Sequence, residues 1–292
     1  MSGAGPIQWY PGHMTKTRRQ MEQDLKQVDA VCELLDARIP LSSRNPDIAS
    51  LCGSKPRLVL LNRADLADPA LTERWRERFR REGLAAVKTD CKSKKGVAAF
   101  QPAVRELLAE KLQRYREKGQ TGRALRLMVV GIPNVGKSTF INQISGRKSA
   151  KAENRPGVTR GRQWIAAGPE LLLLDTPGIL WPKFEDPEVG RRLAYTGAVK
   201  DDILDTADLA AGLAELLWRL YPERLKERYG MDATPGAPGW QLLEALARRR
   251  GFLISGGEAD SERAARTLLE EYRSGKLGRL TLETPEEEHA EC

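Results

Sequence analysis

Eight residues carry the plainest chemistry in the sequence, Gly131-Ile-Pro-Asn-Val-Gly-Lys-Ser138. These types at this spacing suit one task, the holding of a polyphosphate. The backbone N–H groups of a Gly-rich loop point inward, and a following helix adds its positive end. Lys137 can reach the terminal phosphates, and the Ser138 hydroxyl suits a Mg²⁺ ion. Asn134, Val135, Gly136 and Thr139 complete the candidate contacts. The bland alternative is a Gly turn before a helix. Against it stand the flanks, an apolar strand-like run Leu125–Val130 and a helix-like run Thr139–Ile144, which a phosphate-binding loop requires.

Three other stretches fit beside this loop. Asp175-Thr-Pro-Gly178 ends an apolar run, where Asp175 can join the Mg²⁺ shell and the Gly178 N–H can meet a terminal phosphate. Thr159, in the polar segment between the two motifs, is placed to complete the metal site. Asn62-Arg-Ala-Asp65 resembles the N-K-x-D pattern that selects guanine. A carboxylate accepts from both guanine N1–H and its exocyclic amine, whereas adenine presents a repelling lone pair at N1. Arg63 stands where Lys is usual, and its stem and planar head can stack on a base. Read alone, the stretch equally fits a polar turn at a strand end. Thr89-Asp-Cys-Lys92 follows the next strand-like run, at the place of a second base loop; Thr89, Asp90 and Cys91 are assigned there on position rather than residue type.

The elements that must position these groups alternate. Residues 28–35, 57–61, 85–88, 125–130, 163–167 and 171–174 read as strands, and helical segments stand between them. An amphipathic basic helix begins near Met14, and a long helix is expected over 96–118. This predicts an α/β fold, a mostly parallel sheet with helices on both faces. After about residue 185 strand signals stop. Residues 188–199, 207–220, 240–250 and 261–273 show helical periodicity, and in the last Ala264, Ala265, Leu268, Leu269 and Tyr272 line one face. The expected division is 1–185 for the phosphate-binding domain with an N-terminal arm, 186–285 for a C-terminal all-helical domain, and 286–292 for an acidic tail.

Bulk properties set limits. No apolar run approaches the ~20 residues that span a bilayer, and Met1–Pro6 has no signal-peptide pattern, so a cytoplasmic location without membrane contact is expected. The four cysteines are scattered, which argues against structural zinc and against a disulfide framework. The net charge of +8 fits either a polyanionic partner or a solvated Arg-rich surface.

The guanine-type motif here precedes the P-loop, the reverse of the ordinary order. A parallel sheet tolerates such a permutation, because termini can be joined and recut without moving strands. The segment after Asp175 then runs directly into the helical domain, so nucleotide state is expected to set that domain's orientation. The chain resembles the circularly permuted P-loop GTPases, and among them the bacterial ribosome biogenesis GTPase A family. The likeness runs through Gln8-Trp-Tyr-Pro-Gly-His-Met14, Asp36-Ala-Arg-Ile-Pro-Leu-Ser-Ser-Arg-Asn-Pro46, Arg155-Pro-Gly-Val-Thr159 and the helical part from Leu193-Ala-Tyr-Thr-Gly197 to Gly275-Lys-Leu-Gly278.

The resemblance implies a monomeric GTPase that binds GTP and GDP with Mg²⁺. It implies binding to a late large-subunit precursor in the GTP state, release on hydrolysis, and a helical domain that contacts ribosomal RNA. It also implies where catalysis comes from. Many GTPases place a Gln after D-x-x-G; here Ile179 follows Gly178 and cannot orient water. His13, by similarity to the family's P-G-H motif, is the candidate catalytic group; the alternative is a turn His packing near Trp9. Asn134, in a loop of this type, is associated with a bound K⁺ that offsets developing charge, or it simply caps the loop. Three other functions compete. A P-loop ATPase or kinase conflicts with Asp65, a passive RNA-binding module conflicts with the intact phosphate contacts, and relatives acting on the small subunit carry OB or Cys-rich additions absent here. Arg248-Arg-Arg250 is a candidate RNA contact, although basic residues also favour helix C-termini.

Overall fold

A computed structural model of the chain describes residues 14–120, 122–146, 163–176, 186–199, 205–232 and 234–286. They form two compact units, Met1–Pro187 with Glu283–Cys292, and Glu188–Leu282. In the first, helix α1 (Met14–Leu25) leads to strand β1 (Ala30–Asp36). Then come α2 (Pro46–Cys52), β2 (Arg57–Asn62), α3 (Pro69–Arg81), β3 (Ala85–Lys88), α4 (Phe100–Leu107), α5 (Ala109–Glu117), β4 (Leu125–Gly131), α6 (Lys137–Ser145), β5 (Gln163–Ala166) and β6 (Leu171–Asp175).

The strands make one sheet in the order β3-β2-β1-β4-β6-β5, parallel except for the β5–β6 pair. All seven residues of β1 are buried, which is why its sequence is a near-continuous apolar run rather than an alternation. On one face, α1 and α2 pack Met21, Leu25 and Ile48 against Val31, Met128, Val130 and Leu174. On the same face, α3 packs Trp75 and Phe79 against Leu35, Val59 and Leu61. The other face carries α4 and α6, where Phe100 and Phe140 meet edge to face with centroids 4.9 Å apart.

The chain runs outward through β1, β2 and β3, then returns to place β4 on the other side of β1. The β1/β4 boundary is therefore the topological switch point, where ligands settle outside the carboxyl ends of the strands. The expected helix over 96–118 is broken. A short 3₁₀ turn spans Val97–Ala99, and α4 ends at Leu108, whose φ of −109° and burial turn the chain before α5 begins. Apolar spacing does not report such a break, because both pieces keep the same helical period. The seven-residue helix α2 follows its Asn45 cap, whose side chain accepts from the Asp47 N–H, in a segment that read only as polar.

The second unit is all helical, as expected, with α7 (Pro187–Tyr195) leading into α8 (Thr206–Leu220), α9 (Pro222–Tyr229), α10 (Gly239–Arg249) and α11 (Ser261–Ser274). The predicted face of α11 is buried residue for residue, against α8 and α10. Gly239 lets α10 approach α8; a Cβ there would stand 2.1 Å from the Ala211 carbonyl oxygen. The helix α9 was not legible as a separate element, because Pro222 starts it directly after α8.

The chain returns to the first unit earlier than position 286. Glu283 is fully buried, and its carboxylate accepts from the Leu41 N–H at 2.6 Å and the Ser42 N–H at 3.0 Å. The Trp75 indole N–H donates to the Glu283 carbonyl at 3.1 Å, and Arg74 pairs with Glu286. An acidic run reads as a tail until the N–H groups that receive it are known. Replacing Glu283 with Ala leaves two buried N–H groups without an acceptor. The expected cost is about 2–3 kcal/mol, read as a lower urea midpoint for the first unit, with a smaller loss for Glu283→Gln.

Candidate nucleotide site

Four strand ends converge at the switch point. Asp36 of β1 is level with Asn62 of β2, Gly131 of β4 with Leu34, and Asp175 of β6 with Val129. The guanine-type motif, the P-loop and the D-x-x-G segment thus leave the same edge of the sheet, as their motif chemistry demands.

The Asn62 amide joins two of these loops. It is buried; its Nδ2 donates to the Val135 carbonyl at 2.7 Å, and its Oδ1 accepts from the Cys91 N–H at 3.0 Å. Thr89 adds a longer contact to the same oxygen at 3.4 Å. Gly136 lies against this amide with a φ of 102°, and a Cβ there would fall 2.4 Å from Asn62 Nδ2. Glycine is required at that position on both grounds.

Arg63 adopts a left-handed φ of 58°, as does Asn134 at 59°. Its Nη2 donates to the Asn134 carbonyl, and its Nη1 stands 3.7 Å from Asp36 Oδ2. The Arg63 head, which can stack on a base, thus also reaches the P-loop backbone. Asp65 is exposed at the mouth of the site. Partial burial and the nearby Asp90 carboxylate push its pKa up. Asp90 itself accepts from the backbone N–H groups of Lys92 at 2.9 Å and Ser93 at 3.2 Å, and from the Ser93 hydroxyl. It shapes its own turn, while Cys91 supplies the N–H that reaches Asn62.

On the phosphate side, Lys137 begins α6 and is buried; its Nζ bonds the Asp175 carboxylate and the Thr176 carbonyl. The Thr176 hydroxyl donates to the Val129 carbonyl at 2.7 Å, fixing the start of this segment against β4. Ser138 and Thr139 follow, half-buried, in the first turn of α6. His13, Thr159, Gly178 and Ile179 lie outside the described residues.

The donor set fits Mg²⁺. Among the described residues no group of three or more His, Cys, Asp or Glu stands together that could cage a metal ion. Mg²⁺ prefers one or two protein oxygens completed by phosphates and water. Ser138 and Asp175 would hold it, and it would neutralise charge on the transferring phosphoryl group. Asn134 presents an exposed side chain in the P-loop.

One pair in the site was not read as functional from the sequence. Asp36 and Arg38 are both buried, with Arg38 Nε and Nη2 bonded to the Asp36 carboxylate at 3.0 and 2.8 Å. Burial alone would raise the Asp36 pKa, but the Arg38 and Arg63 guanidiniums outweigh it and hold it low. An Asp-x-Arg pattern closing an otherwise apolar strand was the available signal.

The whole chain has extensive relatives. A family model described as "50S ribosome-binding GTPase" matches residues 126–223. Ribosome biogenesis GTPase A of Bacillus cereus is 49% identical over 281 residues, covering 96% of this chain and 95% of that one. The chain belongs to the ribosome biogenesis GTPase A family. It therefore binds and hydrolyses GTP and acts in ribosome biogenesis. The mitochondrial ribosome-associated GTPase 1 of Mus musculus is 33% identical, over 97% of this chain and 92% of its own length. The GDP-bound structure of YlqF from Thermotoga maritima superposes with a TM-score of 0.67 at 27% identity, over 92% of this chain and all of that one. The motif order seen here, with the base motif before the P-loop, is consistent with a permuted member of that family.

Asp65 provides a direct test of base selection. In Asp65→Asn the new amide N–H would face the guanine amine, whereas it can donate to the C2 carbonyl of xanthine. GTP affinity should fall by about 100-fold or more and XTP affinity should rise, as read with fluorescent nucleotides. GTP binding needs the carboxylate, so wild-type affinity should fall as pH drops. With the Asp65 pKa raised, that loss should begin above the ordinary Asp value of about 3.9.

Proposed function

We propose that the chain is an assembly factor for the large ribosomal subunit, binding a late precursor with GTP and leaving it after hydrolysis. Likeness over nearly the whole length to GTPases named for ribosome biogenesis carries this reading, beside the intact set Asn62, Asp65, Lys137, Ser138 and Asp175. The family description "50S ribosome-binding GTPase" supports the choice of subunit. Such a role places the protein with its ribosomes in the cytoplasm, as a monomer. The division of labour follows the two units, nucleotide chemistry in the first and precursor recognition involving the second.

The position after Gly178 is Ile179, so D-x-x-G supplies no group to orient water. His13 is proposed to do so. A neutral imidazole accepts a hydrogen bond from the attacking water. Thr159 is proposed to complete the Mg²⁺ shell in the GTP state, Gly178 to meet the γ-phosphate, and Asn134 to hold K⁺.

The test is the GTP hydrolysis rate with and without purified large-subunit precursors. Stimulation by those particles and not by small-subunit precursors is expected. The reverse preference would overturn the subunit assignment. In His13→Ala the stimulated rate should fall by about 100-fold or more with GTP affinity unchanged, and an unaltered rate would remove His13 from the mechanism. Equal rates in K⁺ and Na⁺ would remove the cation from Asn134.

A further inference from the structure

The charge of the chain is divided unevenly between its two units. Residues 188–282 hold fifteen Lys and Arg against fifteen Asp and Glu, a net of zero. The GTPase unit, residues 1–187 with 283–292, holds thirty-three against twenty-five, a net of +8. The three-Arg run at the end of α10 is largely answered by acids, with Arg248 bonded to Glu244 and Arg250 to Glu271. The net positive charge of the chain resides in the GTPase unit, so this unit offers a polyanion a surface of its own beside any contact made by the helical unit.

Within the GTPase unit the excess concentrates between α5 and the start of β4. Lys111 to Arg126 contains six Lys and Arg and a single Glu. Two aromatic rings stand among them. Arg123 lies over the Tyr115 ring at 4.8 Å and Lys111 at 5.8 Å, while Arg126 lies over the Trp164 ring at 5.5 Å. Asp29 welds the two clusters together. One oxygen pairs with Lys111, and the other accepts from the Arg126 N–H at 2.8 Å. Trp164 is 37% exposed, and among the described residues it is the one large hydrophobic side chain so exposed in this unit. Arg123 and Arg126 have no carboxylate within ion-pair distance among the described residues.

We propose that this surface binds RNA, with the phosphates of an unpaired segment on Arg123 and Arg126 and a base stacked on Trp164. Aromatic faces beside unneutralised guanidiniums are what single-stranded RNA recognition uses, since every base offers a π-face and every linkage a charge. Arg126 sits near the start of β4, and the P-loop follows its end. Five residues at about 3.3 Å each separate Arg126 from Gly131. RNA can therefore occupy this surface while GTP occupies the opposite edge of the sheet. The inference deepens the assembly reading and rests on it for the identity of the RNA.

The test uses a fluorescein-labelled RNA hairpin with an unpaired loop of about ten nucleotides, titrated at several salt concentrations. Trp164→Ala should weaken binding by about 10-fold with the salt slope unchanged. Arg123→Ala with Arg126→Ala should lower the slope of log K against log salt by about 1.4. Arg80→Ala with Arg81→Ala removes the same charge from α3 and should change affinity by less than about 2-fold. GTP affinity should be that of the wild type in every variant. The proposal is overturned if Trp164→Ala binds as the wild type does, if the α3 pair costs as much as the Arg123/Arg126 pair, or if the wild type does not bind the hairpin. Stronger binding to anionic vesicles than to the hairpin would overturn it too. Hairpin binding through this surface without precursor-stimulated hydrolysis would support the surface and count against the assembly reading.

Discussion

The nucleotide site depends on one side-chain amide. Asn62 donates to the P-loop and accepts from the loop after β3, so the phosphate cradle and both base loops share a single rigid reference. Removing it would leave a buried carbonyl and a buried N–H unpaired, each costing about 1–3 kcal/mol. It would also detach the part that reads the base from the part that holds the phosphates. Gly136 belongs to the same constraint, because the amide fits only where no Cβ stands.

Around that amide the sheet end is rich in charges removed from water. Asp36 and Arg38 satisfy one another, and Arg63 leans on the same carboxylate while reaching the P-loop. Glu33, three residues down β1 and buried, is met by Arg57 at 3.1 Å and Arg44 at 3.7 Å, although desolvation still raises its pKa. Such pairs add little stability as pairs, but losing one partner is costly. They fix where the loops leave the sheet, and that placement is what a site built from four separate strand ends requires.

Much of this was legible because the signals are local. The alternation of strands and helices, the Gly131–Ser138 loop and the buried face of α11 each follow from spacing within one segment. What escaped depends on partners far away in sequence. Glu283 reads as the end of the helical segment until Leu41 and Ser42 present their N–H groups. The break at Leu108 comes from burial of one side chain, which periodicity does not encode. The charge partition was present in the sequence throughout, but it acquired meaning only with the boundary at residue 188.

The contact between Lys137 and Asp175 has a consequence for order of arrival. The same two groups would serve different guests, the ammonium a phosphate and the carboxylate a metal. A nucleotide arriving alone draws the lysine away and strands a buried carboxylate. A metal arriving alone does the opposite and strands a buried ammonium. Either half-loaded condition leaves a charge uncompensated in a dry setting, whereas the metal–nucleotide complex satisfies both at once. The site would thus favour the metal–nucleotide complex over either component alone.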